Sequence, residues 1–181
     1  MQTDPGTDVI FIGGRSGVGK SSVAFEISRI LAGAGIRHAV IEGDNLDQAH
    51  PQPWRDGIDL AGRNLAAMWA NYRELGYSRL IFTNTVSVLE MAPLSAALGG
   101  EVRGFGVLLT SSDETAAERL GRREAGSALA DHLDRSRAAA ERLEAAGPEV
   151  ARVATDGRPV VRIAAEILER AGWWTVGPAA P

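Results

Sequence analysis

The segment from Gly14 to Ser21 reads Gly-Arg-Ser-Gly-Val-Gly-Lys-Ser and matches the spacing G-x-x-x-x-G-K-[ST] at every fixed position. Glycines in such a segment let the backbone wrap an anion, so that successive amide groups point toward it. Lys20, the only lysine of the chain, is then placed to reach the outer phosphates of a nucleoside triphosphate, and the Ser21 hydroxyl to ligate Mg²⁺. An ordinary glycine-rich turn is the alternative. The residues predicted to bind ATP and Mg²⁺ here are Gly14, Arg15, Ser16, Gly17, Val18, Gly19, Lys20, Ser21 and Ser22.

The elements that must position this loop alternate between strands and helices. Apolar runs predict strands over 9–12, 38–41, 78–83, 104–109 and 152–154. Apolar residues at helical spacing predict helices over 21–31, 58–75, 88–98, 115–123, 130–146 and 160–171. This alternation is typical of an α/β domain with a parallel sheet, and the loop falls between its first strand and first helix. We expect one domain over 1–176 and a disordered tail over 177–181.

Composition excludes several classes of function. The chain has 181 residues, a formal net charge of −4 and no cysteine, so disulfides, thiol nucleophiles and cysteine-ligated metals are excluded. The acidic balance argues against nucleic acid as a partner, because such proteins need a basic face. No apolar run approaches the roughly 20 residues of a membrane span, and the polar N-terminus does not resemble a signal peptide. We expect a cytoplasmic protein without a nucleic-acid or membrane partner.

Two absences narrow the classes of protein that carry such a loop. A guanine-reading N-K-x-D motif needs a second lysine, which the chain lacks. Motor and transport ATPases carry an acid at the end of an apolar strand, whereas the strand 80–83 is followed by Asn84. Small kinases remain.

The sequence resembles the small-molecule P-loop kinases, a group that includes adenylyl-sulfate kinase, gluconate kinase, shikimate kinase and chloramphenicol phosphotransferase. The resemblance is carried by the phosphate-binding loop, by Gly43-Asp44-Asn45 after the second strand, and by Arg119-Leu120-Gly121-Arg122-Arg123 after the fourth. From Leu80 onward the layout is most similar to the ATP-binding tunicamycin-resistance protein. The resemblance implies a P-loop NTPase fold of the nucleoside-kinase type, with a five-stranded parallel sheet in the order 2-3-1-4-5, sandwiched by helices, and a short lid.

The same resemblance implies where the phosphoryl acceptor binds. Asp44 follows the second strand, where it is expected to activate the acceptor hydroxyl as a base or to hold Mg²⁺; capping of the next segment is the alternative, and Glu42 ranks second as base. The acceptor segment spans about 44–64. The residues predicted to bind the acceptor are Asp44, His50, Trp54, Arg55, Arg63 and Asn84.

A lid over about 119–130 is the third implied feature. Arg119 and Arg123 lie four residues apart, on one helix face. By resemblance, one of them stabilises charge on the transferred phosphoryl group, with Arg123 preferred; the alternative is surface pairing with neighbouring glutamates. Arg158, after the fifth strand, is placed to stack on the adenine, while a simple turn is the alternative there.

These observations favour an ATP- and Mg²⁺-dependent phosphotransferase that acts on a hydroxyl of an antibiotic, nucleoside or sugar acid. The predicted catalytic residues are Lys20, Asp44, Arg119 and Arg123, and Ser21 and Asp44 are the predicted metal ligands. The alternative is an ATP-binding resistance protein that sequesters a nucleoside-like antibiotic without phosphoryl transfer. The acceptor's identity and the oligomeric state stay open, a homodimer being common in this class.

Overall fold

A computed structural model describes residues 6–122 and 127–174 of the chain. Its strands are β1 (Thr7–Gly13), β2 (Ala39–Glu42), β3 (Arg79–Thr83), β4 (Val102–Thr110) and β5 (Ala151–Ala154). Its α-helices are α1 (Lys20–Gly33), α2 (Leu60–Glu74), α3 (Met91–Leu98), α4 (Asp113–Gly121), α5 (Ser127–Leu143) and α6 (Val160–Arg170). Short 3₁₀ turns at Gly43–Asn45, Pro53–Asp56 and Ser87–Leu89 interrupt the connections.

The five strands form one parallel sheet in the order β2-β3-β1-β4-β5, which confirms the predicted fold class and strand order. β1 lies at its centre and pairs with β3 on one side and β4 on the other. β2 and β3 lie on one side of β1, and β4 and β5 lie on the other. Open α/β sheets bind ligands in the crevice at such a switch point, which here lies at the carboxyl ends of β1, β3 and β4. The phosphate-binding loop leaves β1 at this point.

Alternation of side chains along β1 explains the two layers of core. Ile10 and Ile12 pack in a cluster with residues of α1 and α6, whereas Val9 and Phe11 pack on the opposite face with residues of α2 and α3. Successive side chains of a strand point to opposite faces, and a parallel sheet covered on both sides must be apolar on both. This is why the central strands read as continuous apolar runs in the sequence.

Trp69 attaches α2 to the face of the sheet that carries Val9 and Phe11. Its side chain is fully buried on α2, and its indole Nε1 donates a 3.1 Å hydrogen bond to Thr7 Oγ1 at the start of β1. A buried tryptophan needs such a partner for its one polar atom. The contact anchors α2, and with it the segment that precedes α2, to the central strand.

Element boundaries differ modestly from those that the sequence predicts. The predicted helix over 88–98 is a 3₁₀ turn followed by α3, which begins at Met91. The acceptor segment, for which the sequence predicts no regular element before residue 58, contains a 3₁₀ turn at Pro53–Asp56. Helix α2 begins at Leu60 because Asp59 accepts a hydrogen bond from the Gly62 amide and caps it. In the described ranges, no helix has both the length and the hydropathy that crossing a membrane requires.

Candidate functional site

The conformation of the loop after β1 depends on its glycines. Gly14 has φ 146° and Gly17 has φ 84°, values that side chains other than hydrogen rarely permit. A Cβ on Gly14 would lie 2.8 Å from the carbonyl oxygen of Leu109, and one on Gly17 would lie 2.7 Å from that of Ala116. The loop is therefore closed tightly against β4 and α4, and larger residues at these two positions would open it.

Lys20 opens α1 and folds back across the loop. Its Nζ donates to the carbonyl oxygen of Gly14 at 2.8 Å and to that of Arg15 at 3.3 Å. The amides of the first turn of α1 have no partner within the helix, and the helix dipole places partial positive charge at the same end. The ammonium group and the helix N-terminus together make this loop an anion-binding site.

A cavity of about 220 Å³ lies at the end of the loop and is called the loop cavity below. Lys20 and Ser21 line it, together with Asp44 from the end of β2 and with Leu120 and His132. Ser16, Gly17, Gly19 and Ser22 complete the lining. The cavity thus brings together the cation, the hydroxyl and the carboxylate that the sequence places far apart.

The turn that carries Asp44 is packed closely against β3. A Cβ on Gly43 would lie 2.6 Å from the Phe82 ring, so only glycine fits there without rearrangement. Asn64, on α2, donates a 2.6 Å hydrogen bond from Nδ2 to the carbonyl oxygen of Leu46 and ties the same turn to the helix. These contacts fix the backbone on both sides of Asp44, whose side chain is exposed.

Glu42 is the other carboxylate at this end of the sheet. One of its oxygens, Oε1, is buried and has no hydrogen-bond partner within the described ranges. Glu42 does not line the loop cavity, whereas Asp44 does. A base must reach the proton that it removes, so the geometry favours Asp44 over Glu42.

A second cavity, of about 380 Å³, lies on the β5 side of the loop and is called the β5 cavity below. Arg119 lines it, and its Nη1 donates to the Val18 carbonyl oxygen at 3.0 Å and to Thr155 Oγ1 at 3.1 Å. Apolar side chains of Val160 and Ile163 contribute another part of the wall. Arg119 therefore lies in the β5 cavity and not in the loop cavity.

Arg158, which the sequence predicts to stack on adenine, also lines the β5 cavity. Its Nη1 donates to the Ala154 carbonyl oxygen at 2.9 Å, and its Nη2 pairs with Glu166 of α6. Asp156 beside it accepts hydrogen bonds from the amide and hydroxyl of Ser112, so that residue serves the turn between β5 and α6. Hydrogen bonds from Thr115 and Ser112 hold the pKa of Asp156 below its ordinary value.

A third cavity, of about 290 Å³, lies beside the start of α2 and is called the α2 cavity below. Trp54 and Ile58 present exposed apolar side chains to it, and Asp47 and Asp59 present carboxylates. An exposed tryptophan beside carboxylates can stack on a ring and accept hydrogen bonds from its hydroxyl or amino groups. Among the residues predicted to contact the acceptor, Trp54 lies here.

Four other predicted acceptor residues lie outside the linings of these three cavities: His50, Arg55, Arg63 and Asn84. The first three are exposed on the segment before α2 or on its first turns. Asn84 Oδ1 accepts a hydrogen bond from the Val86 amide at 3.0 Å and shapes the turn after β3. Asp44 therefore lines the loop cavity, whereas these four side chains do not. Arg123 lies outside the described residues.

The side chain of Arg15 points away from the phosphate-binding face of its loop. It is 5% exposed, its Nε donates to Ser136 Oγ at 2.9 Å, and a guanidinium nitrogen pairs with Asp113. Ser136 in turn donates to the Ser16 carbonyl oxygen at 3.0 Å. The hydrogen bond from Arg15 holds the pKa of the Asp113 carboxyl below its ordinary value. Arg15 thus contributes its backbone to the loop and its side chain to a link with α4 and α5.

The sequence patterns did not identify His132 and Ser136, which lie on the helix predicted over 130–146 with no motif around them. The spacing of four residues, which places both on one face of α5, was the one available signal. Nothing local indicates that this face meets the phosphate-binding loop.

With the sheet order, the loop and its cavities established, the chain has the α/β fold of the P-loop NTPases. Solved structures that share this fold include small-molecule kinases. A gluconokinase from Sinorhizobium meliloti 1021 matches with 24% identity over 94% of this chain and 93% of its own, at a TM-score of 0.58. The tunicamycin resistance protein of Deinococcus radiodurans matches with 21% identity over 92% and 96%, also at 0.58.

A Mycobacterium tuberculosis APS kinase, solved in complex with AMPPNP and APS, matches with 20% identity over 91% of this chain and 97% of its own, at a TM-score of 0.54. The family model of adenylylsulphate kinase matches residues 6–52, which include the phosphate-binding loop and Asp44. No curated protein sequence matches the chain significantly. The matched structures agree in fold along nearly the whole chain, and the family model agrees at the part that carries the loop.

Proposed function

We propose that this protein is an ATP- and Mg²⁺-dependent kinase that transfers a phosphoryl group to a hydroxyl of a small molecule. The observation that carries the proposal is the presence of Lys20, Ser21 and Asp44 in one cavity of about 220 Å³ at the carboxyl end of the sheet. Phosphoryl transfer needs positioning and charge stabilisation more than covalent chemistry. A loop for the phosphates and a carboxylate beside it supply both.

ATP binds with its phosphates on the loop amides and its base in the β5 cavity, between Arg119, Arg158 and the apolar residues of α6. Lys20 contacts the outer phosphates. Mg²⁺ prefers oxygen ligands and keeps several waters, so Ser21 would ligate the ion and Asp44 would hold it through one of those waters. When bound, the ion neutralises charge on the phosphates.

The acceptor hydroxyl approaches the terminal phosphorus from the side of Asp44. Its oxygen forms a bond to that phosphorus while the bond to the bridging oxygen breaks, so ADP leaves with the electron pair. The hydroxyl proton passes to the Asp44 carboxylate, which then releases it to solvent. Trp54 and the carboxylates of the α2 cavity hold the rest of the acceptor.

The test is mass spectrometry on protein incubated with ATP, Mg²⁺ and a panel of sugar acids, nucleosides and hydroxylated antibiotics. We expect one product ion carrying an added phosphoryl group, together with ADP. Asp44→Asn should lower turnover by roughly 10²- to 10⁴-fold and leave ATP affinity nearly unchanged. Asp56→Asn is the matched control, because Asp56 is an exposed aspartate of the same segment that does not line the loop cavity.

Two results would count against this proposal, the first against the role of Asp44 and the second against the kinase itself. Near-normal turnover of Asp44→Asn would remove Asp44 from the reaction. Saturable binding of an antibiotic at one molecule per chain, with ATP bound and no ADP formed, would replace the kinase by a protein that sequesters its ligand.

A further inference from the structure

His132 lies in the loop cavity, although it is far from the loop in the sequence. Its side chain is half-buried and lines the cavity together with Lys20, Ser21 and Asp44. The loop connects β1 to α1 and Asp44 lies in the turn after β2, whereas His132 comes from α5. The cavity therefore has a polar side chain on a wall that the phosphate-binding motif does not build.

The position of His132 is fixed by the helix turn that follows it. Ser136 lies four residues later, on the same face of α5, and is 1% exposed. Its hydroxyl donates to the Ser16 carbonyl oxygen at 3.0 Å and accepts from the buried Arg15 side chain at 2.9 Å. These two contacts seat α5 directly on the loop, so the preceding turn faces the place where the loop ends.

We propose that His132 donates a hydrogen bond to the terminal phosphoryl group of ATP bound in the loop cavity. An imidazole has at least one N–H in either protonation state, and phosphate oxygens are strong acceptors. Lys20 and the loop amides contact the phosphates from the side of β1 and α1, while His132 contacts the terminal group from the side of α5. The proposal rests on the proposed binding of ATP and adds a residue that distinguishes ATP from ADP.

This assignment makes a selective prediction about nucleotide binding that needs no acceptor. His132→Ala should weaken binding of AMPPNP with Mg²⁺ by about tenfold or more, since a hydrogen bond to a charged group contributes about 1.5–3 kcal/mol. Binding of ADP with Mg²⁺ should change less than about twofold, because ADP lacks the group contacted. His132→Gln, which keeps an N–H donor, should recover much of the AMPPNP affinity.

Isothermal titration calorimetry of the full chain measures both affinities. Arg135→Ala is the control, because Arg135 is an exposed residue on the same helix three positions later. Unchanged ADP affinity in each variant also shows that the loop is folded. Equal loss of AMPPNP and ADP affinity, or no loss of either, would overturn the contact.

The outcomes separate this contact from the proposed reaction. If the wild type transfers phosphoryl groups and His132→Ala binds AMPPNP normally, the contact is rejected and the kinase is retained. If His132→Ala loses AMPPNP affinity selectively and the wild type transfers no phosphoryl group, the contact is supported and the kinase is rejected. Wild-type protein that binds neither nucleotide rejects both.

Discussion

Arg15 Nε and Ser136 Oγ lie 2.9 Å apart although 121 positions separate the two residues along the chain. Both side chains are buried, and the bond joins the phosphate-binding loop to α5. Asp113, at the start of α4, pairs with the same guanidinium. One buried arginine thus connects the loop to the two helices that follow β4, and the geometry of the loop cavity depends on it.

Ser136→Ala is expected to destabilise the fold because it leaves the buried Arg15 guanidinium with one acceptor fewer. Loss of a hydrogen bond to a buried charged group costs about 1.5–3 kcal/mol of the free energy of unfolding. Urea denaturation measures it. Ser95→Ala in α3 is the matched control, with an expected change within about 0.5 kcal/mol. Equal stability of the two variants would show that the Arg15–Ser136 bond contributes nothing.

The Arg15–Asp113 pair predicts a pH-dependent stability. The hydrogen bond from Arg15 lowers the pKa of Asp113 below the ordinary 3.8. A lowered pKa in the folded state stabilises the fold above the ordinary value, and this contribution is lost as the pH falls through the folded-state pKa. Asp113→Asn should therefore melt below the wild type at pH 7, and the difference should shrink as the pH falls below 3.8 through the folded-state pKa.

Thermal melts across this pH range test the pair. Asp134→Asn is the control, because Asp134 forms an exposed ion pair with Arg137, and such pairs contribute little. A difference between Asp113→Asn and wild type that stays constant with pH would mean that the charge of Asp113 is not what stabilises the fold.

Arg119→Ala is predicted to affect nucleotide binding more than chemistry. Arg119 Nη1 and Nη2 bond to Val18 and Thr155 on the wall of the β5 cavity, away from Asp44. Its removal should raise the KM for ATP by about tenfold and change kcat by less than about threefold. ADP affinity should fall in parallel. A loss confined to kcat would place Arg119 at the transferred phosphoryl group instead.

Local patterns predicted the strands, the loop and the helices because each is encoded within a few residues. Apolar runs mark β1 and β3, and the G-x-x-x-x-G-K-[ST] spacing marks the turn between β1 and α1. The position of Asp44 was predictable for the same reason, since it comes shortly after a short apolar strand. These features require no knowledge of which distant elements touch, whereas the order of the strands and the role of Asp44 came from the family resemblance.

The contributions of α5 were not predictable in this way. His132 reaches the loop cavity only because Ser136 and Arg15 meet across 121 positions, and no local pattern encodes that contact. The arginines of the acceptor segment show the opposite case, in which a local pattern predicts a contact that the packing does not make. Arg55 and Arg63 have the residue type that suits an anionic acceptor, yet their side chains are exposed outside the three cavities. Spacing fixes neighbours along an element, but the packing of elements decides which side chains meet.

Trp54 tests whether the α2 cavity holds the acceptor. Its side chain is 54% exposed beside Asp47 and Asp59. Exposure of this apolar ring to water is unfavourable, and a ligand stacked on the ring would remove it from water. With the acceptor identified by mass spectrometry, Trp54→Ala should raise the acceptor KM by about tenfold, since an aromatic pair contributes about 0.5–1.5 kcal/mol beyond area burial. The KM for ATP should not change.

Phe25→Ala is the matched control for this variant, because Phe25 is an aromatic residue of α1 that is 60% exposed and lines none of the three cavities. Trp54→Phe should retain most of the acceptor affinity, because the aromatic face remains. If Trp54→Ala and Phe25→Ala have equal acceptor KM values, the α2 cavity is not the acceptor site. The acceptor would then contact Asp44 from another side of the loop cavity.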